Sequence, residues 1–108
     1  MRGWQLSPAS RKLDLVVVAA RYDSEGRLSL AQGYERRGEV WSDLRLFDRA
    51  TLIEKLGAQR RVAVGTPTAV PGDFQELAPV RLQRRNGTVT LGSGALANDR
   101  DHLAAPLF

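Results

Sequence analysis

Trp41, Arg45 and Phe47 recur at even spacing within the segment Glu39 to Phe47. In an extended chain, residues of one parity point to one side, so the three share a face, to which the preceding strand adds Arg27 and Ser29. Aromatic rings interleaved with guanidinium groups on a sheet suit single-stranded nucleic acid: rings stack bases at ~1–3 kcal/mol each while arginine takes phosphates. The competing reading is packing, with Trp41 and Phe47 forming a second apolar layer beneath the C-terminal tail or Trp4, and Arg45 paired to Asp43 or Glu39.

Three arginine clusters, Arg36-Arg37, Arg60-Arg61 and Arg81 with Arg84-Arg85, fall at expected strand ends. Gathered on one rim they would form a basic patch for a polyanion; scattered, they are solvated turns that protect strand edges. Glu35, Glu39 and Glu76 dilute whatever field they generate.

Other reactive residues point nowhere specific. His102, the sole histidine, stands beside Asp99 and Asp101 in the tail, where a relay or metal site would lack a rigid frame. Asp14 lies among apolar neighbours and is expected to pair with Lys12 or an arginine rather than titrate unusually. Asn86-Gly87-Thr88 fits a glycosylation acceptor but is explained by a turn, and Gly92-Ser93-Gly94 reads as a flexible joint rather than a phosphate loop.

Composition narrows the function classes further. The chain has 108 residues, 43% hydrophobic, with a formal net charge of +4 and no cysteine. Disulfide scaffolds, thiolate nucleophiles and cysteine-ligated zinc or iron–sulfur sites are thereby excluded. The positive charge is borne by arginine, since only Lys12 and Lys55 are lysines. The start, Met1 to Pro8, lacks the apolar run of a secretory signal, and the longest apolar stretch, Leu15 to Ala20, is far short of the ~20 residues of a membrane helix. The expectation is a cytoplasmic protein with no cofactor and no membrane contact.

The elements that must hold these residues follow from periodicity. Lys12 to Tyr22 is rich in β-branched residues and apolar on both parities, which marks a central strand. Asp23-Ser24-Glu25-Gly26 turns the chain into the alternating run Arg27 to Glu35. Glu39 to Phe47 reads as a third strand. At Asp48 the period changes: an N-cap opens a two-turn helix through Leu56, with Gly57 at its stop and Ala50, Ile53, Leu56 and neighbouring Leu52 on its apolar stripe. Arg60 to Gly65 forms a further strand, Thr66 to Asp73 a loop, and Phe74 to Gln83 a strand in which Pro79 marks an edge or bulge. Asn86-Gly87 then predicts a type I′ hairpin into Thr88 to Leu91.

This order predicts a mainly β fold: a small antiparallel barrel, OB-like or related, of five to six strands with one short helix between the third and fourth. Residues 1–11 are an N-terminal extension, 12–92 the barrel, and 93–108 a loosely held tail. The function expected is a non-enzymatic binding module for single-stranded nucleic acid or another polyanion. The alternative is a protein-interaction or assembly module, pairing through the sheet edge near Pro79 or through Leu103, Leu107 and Phe108.

Overall fold

The computed structural model describes residues 13–38, 40–69, 74–85, 87–93 and 101–108. The calls on Trp4, Lys12, Glu39, Asn86, Asp99, the N-terminal extension and residues 70–73 of the loop before Phe74 lie outside the described residues; Thr66 and Pro67, expected in that loop, end a strand instead.

The fold is mainly β with one short helix. Its strands are β1 (Leu15–Tyr22), β2 (Leu28–Arg37), β3 (Val40–Trp41), β4 (Arg45–Asp48), β5 (Val62–Pro67), β6 (Phe74–Arg85) and β7 (Thr88–Ser93), with helix α1 (Arg49–Gly57) after β4. They form one curled sheet, a half-barrel, in the order β3-β2-β1-β5-β6-β7, with β4 also on β2. β1 is central, as its two-sided apolar pattern requires.

Two features correct the expected barrel. The sheet is mixed: β5 runs parallel to β1, with Leu15, Val16 and Val17 opposite Val62, Ala63 and Val64. A parallel return requires a crossover, and the connection through β4 and α1 supplies it. The helix also follows the fourth strand, because the segment expected as a single third strand is two. β3 and β4 share one edge of β2; between them Ser42 still donates its N–H to the Glu35 carbonyl at 2.8 Å, while Asp43 and Leu44 pair with no strand among the described residues.

Local signals account for the connections. Asp23 Oδ1 accepts the N–H groups of Glu25 and Arg27 at 2.8 and 3.0 Å, and Gly26 takes the positive φ of 80° that the turn needs. Asp48 caps α1 by accepting the Thr51 N–H at 2.8 Å. The helix runs through Gly57, and Gln59 holds the left-handed position at φ 63°. Gln59 N–H bonds the Leu56 carbonyl and Arg60 N–H the Lys55 carbonyl, both at 3.0 Å, which is a Schellman ending with glutamine where glycine is usual. Gly87, at φ 79°, serves the β6–β7 hairpin as expected.

The two faces of the curl carry separate cores. Inside lie Leu15, Val17, Ala20, Leu28, Ala31, Phe47, Leu52, Val62, Val64, Val80, Leu91 and Leu103. Outside lie Leu13, Val16, Ala63 and Phe74, with Val18, Tyr34 and Trp41 packed against them. Gly33, between β1 and β4, admits no side chain: a Cβ there would stand 2.3 Å from the Val16 carbonyl oxygen.

Residues 101–108 form a strap tied by backbone bridges to β1 and β7. Leu103 is buried in the inner core, Ala20 pairs with Leu107, and Gly92 with His102. Phe108 lies beneath the Arg21 guanidinium, 4.6 Å from its ring centre. An amphipathic end can dock wherever a curled sheet leaves an apolar slot, a property invisible to local pattern. Among the described residues, no helix is long and apolar enough to cross a membrane.

Candidate polyanion-binding site

The aromatic–arginine face does not form, and one extra residue is the reason. From Arg36↔Trp41 to Gly33↔Arg45, β2 advances three residues while the facing chain advances four. Such an insertion reverses the parity of everything beyond it. Trp41 therefore lies on the outer face, edge-on to Phe74 at 5.0 Å between ring centres, whereas Phe47 is buried in the inner core. Tyr34 completes the outer aromatic group at 5.3 Å from Phe74. Arg45 is exposed and makes no ion pair with Asp43 among the described residues.

Arg27 and Ser29 are displaced too. Both are exposed, and Arg27 stands 3.7 Å from Glu25 at the turn. Tyr22 pairs with Leu28 at that end of β1, and Leu15 with Glu35 at the other. At ~3.3 Å per residue, seven residues put roughly 23 Å between Arg27 and the arginines of the opposite rim.

That opposite rim is where the arginine clusters meet. β2 ends there at Arg36 and Arg37, β1 begins there after Asp14, and the Schellman ending of α1 delivers Arg60 and Arg61 to the start of β5. β6 changes partners at the same level, pairing Pro79 with Ala63 of β5 and then Val80 with Ser93 of β7. Proline, which cannot donate to a ladder, fits this exchange point. Arg81 follows it directly.

Two adjoining hollows result. The larger, about 490 Å³, is lined by Arg60, Arg61, Arg81 and Glu76 over an apolar wall of Leu13, Val62, Pro79 and Val80. The smaller, about 140 Å³, is lined by Asp14, Glu35, Arg36, Lys55 and again Arg60.

Charge is distributed unequally between them. In the smaller hollow Arg36 Nη2 lies 3.3 Å from Asp14 Oδ1, Lys55 Nζ donates to Glu35 Oε2, and the Arg61 backbone N–H donates to Asp14 Oδ2 at 2.8 Å. Burial pushes the Asp14 carboxyl up, but the Arg61 N–H and the Arg36 and Arg60 guanidiniums outweigh it and hold it below the usual range. Glu35 is held low by its bond from Lys55 against partial burial, helped by the charges of Lys55, Arg37 and Arg45. In the larger hollow Arg60 is loosely held, 4.0 Å from Asp14 with its side chain 63% exposed. Arg61 and Arg81 form no ion pair among the described residues.

Of the rim expected from sequence, Arg60, Arg61 and Arg81 converge on one cavity, and Arg36 is spent on Asp14. Arg37 and Arg84 are exposed on their strands outside it, and Arg85 ends β6 beside the hairpin. Of the alternative assembly surface, Leu103 is buried, Phe108 is held by Arg21, and Leu107 is 75% exposed.

Sequence reasoning passed over the pair Arg49–Asp101. Asp101, on the strap, accepts the Leu28 N–H at 2.7 Å, the Leu91 N–H at 2.8 Å and Arg49 Nε at 2.7 Å, while Arg49 Nη2 donates to the Val89 carbonyl. Burial alone would raise this carboxyl; the Arg49 bond, the two N–H groups and the Arg49 charge overcome that and lower it. No local signal marked this pair, since the N-terminus of α1 already has the Asp48 carboxylate as its cap and the partner of Arg49 lies 52 residues away. His102 itself is exposed, and no group of three metal-ligating side chains occurs among the described residues.

Compared with known proteins, the chain matches no family model, no curated sequence and no solved structure.

Proposed function

We propose that this protein is a non-enzymatic binding module whose rim cavity takes a phosphate-bearing polyanion, single-stranded nucleic acid foremost, in the cytoplasm. The observation that carries the reading is the convergence of Arg60, Arg61 and Arg81 on one cavity of about 490 Å³. Guanidinium forks match phosphate oxygens in geometry and charge. With Phe47 buried and Trp41 engaged by Phe74, the contact is to phosphate rather than to stacked bases. Binding without chemistry agrees with the neighbouring carboxylates: Asp14 and Glu35 are tied to cations instead of being poised to move a proton.

Three guanidiniums against the Glu76 carboxylate leave two charges to meet phosphate, for a slope of about −1.4 in log affinity against log salt, so affinity for a labelled twelve-nucleotide oligothymidylate falls roughly sevenfold between 50 and 200 mM salt. Arg61→Ala with Arg81→Ala flattens the slope, and Trp41→Ala leaves it alone. Affinity indifferent to salt, or to the double substitution, overturns the reading.

A second reading, assembly, is favoured by the outer edge of β3 and β4. This edge has no strand partner among the described residues and exposes Val40, Leu44 and Leu46 at 50%, 48% and 58%. Unpaired edges with apolar side chains add strands readily. Sedimentation tests it: a dimer that Leu46→Lys dissolves, unaffected by oligonucleotide, makes this the better account.

A further inference from the structure

The charge around the cavity points to one kind of phosphate. Its wall carries three guanidiniums and one carboxylate, Glu76, an excess of two positive charges. The carboxylates of the adjoining hollow do not reduce this excess much: Asp14 is matched by Arg36 and Glu35 by Lys55. An internal phosphodiester carries a single charge and needs a path in and a path out. A terminal phosphomonoester carries about −1.5 to −2 at neutral pH and presents three acceptor oxygens. Excess charge and number of forks both fit the monoester. The volume also lies in the range of small-ligand sites, roughly 300–1,000 Å³, rather than that of an extended track. Beside the arginines, the exposed Pro79 ring gives the organic part of such an ester an apolar surface.

We infer that the cavity formed by Arg60, Arg61 and Arg81 selects a terminal phosphomonoester, as on a nucleoside 5′-monophosphate or the 5′-phosphorylated end of a strand, over an internal phosphodiester. This inference rests on the polyanion reading above and assigns that site its ligand. Removing any one of the three, Arg81 among them, lowers the excess charge from two to one, the charge of a diester.

The test compares a twelve-nucleotide oligothymidylate bearing a 5′-phosphate with the same strand bearing a 5′-hydroxyl, by fluorescence anisotropy with the label at the 3′ end. Adenosine 5′-monophosphate and adenosine serve as competitors. The phosphorylated strand binds about tenfold tighter, the gain expected when a second charge and a further acceptor oxygen meet guanidinium forks. Arg81→Ala brings that ratio down to about threefold or less by the same charge accounting. Competition by the monophosphate and not by adenosine supports the inference with the free nucleotide as source. If only the strand end gains from phosphorylation, the source is the strand. Equal affinity for both strands, with salt dependence intact, overturns the inference while leaving the polyanion reading standing. Binding of neither strand overturns both.

Discussion

Asp14 and Asp101 stand at opposite ends of β1, and each ties together elements far apart in the chain. Asp14 joins the end of β2 to the start of β5 through Arg36 and the Arg61 N–H. Asp101 joins β2, β7 and α1 through the Leu28 and Leu91 N–H groups and Arg49. The side chain of Asp101 is 1% exposed and that of Asp14 26%. A charge withdrawn from water is stable only when its lone pairs are met, and losing one partner strands the rest. A half-exposed charge can exchange a protein partner for water. The inner knot therefore holds the fold closed, whereas the rim knot can loosen, and it is the rim that borders the cavity.

Substitutions at the two sites should separate these roles. Asp101→Ala strands the Arg49 guanidinium and two buried N–H groups, and should cost about 3–5 kcal/mol in urea unfolding. A loss below about 1 kcal/mol would show that the strap is not a closing element. Adding Arg49→Met to Asp101→Ala should cost less than the sum of the two single changes, because the second removes the charge that the first left unpaired.

Acid should divide the pair next. Both carboxyls are held below the ordinary aspartate value of 3.8, so each is charged in the folded protein at a pH where the unfolded chain has bound a proton. Their stabilisation is complete above the unfolded value and is lost as pH falls through the lowered folded value. Stability should hold from pH 7 to about 5 and decline below about 4, with Asp101→Asn removing more of that decline than Asp14→Asn. Equal effects from the two variants would sink the distinction drawn from burial.

Smaller effects complete the series. Asp14→Ala should cost about 1 kcal/mol, near the upper end for exposed pairs, and should change oligonucleotide affinity more than stability by freeing Arg36 and Arg60. Arg27→Ala, at the far turn, should change stability by less than about 0.5 kcal/mol and leave affinity untouched. A marked loss of affinity there would mean that the ligand extends along the full length of β1.

Short-range features were legible. The Asp23–Gly26 turn, the Asp48 cap and the β6–β7 hairpin with Gly87 at positive φ each depend on φ/ψ preferences and hydrogen bonds within about four residues, so composition reveals them. Leu15 to Ala20 announced the central strand because burial on two faces leaves an apolar run. Arg60 and Arg61 could be named from the start of a strand, but Arg81, expected at a strand end, lies within β6 just past its change of partners, and which arginines converge was not legible.

Facing was not legible, and for one repeated reason. β1 carries an irregularity between Val17 and Ala19, β6 one between Ala78 and Glu76, and the chain from Trp41 to Arg45 one extra residue. Each makes an alternating pattern count wrongly: Phe74 and Val80 share a parity but lie in opposite cores, as do Trp41 and Phe47. A bulge is settled by how two strands fit together, and that fit is absent from either strand alone.

By itself, then, the order of residues determined that this chain would form strands about one short helix, where it would turn, and that its charge would be borne by arginine. Only the tertiary structure decided which side each aromatic ring takes, that β5 returns parallel, that the last residues strap the curl through Asp101, and that Arg60, Arg61 and Arg81 meet. Dihedral preferences act over a few bonds, while registers and ion pairs join residues tens of positions apart, such as Arg49 and Asp101 across 52.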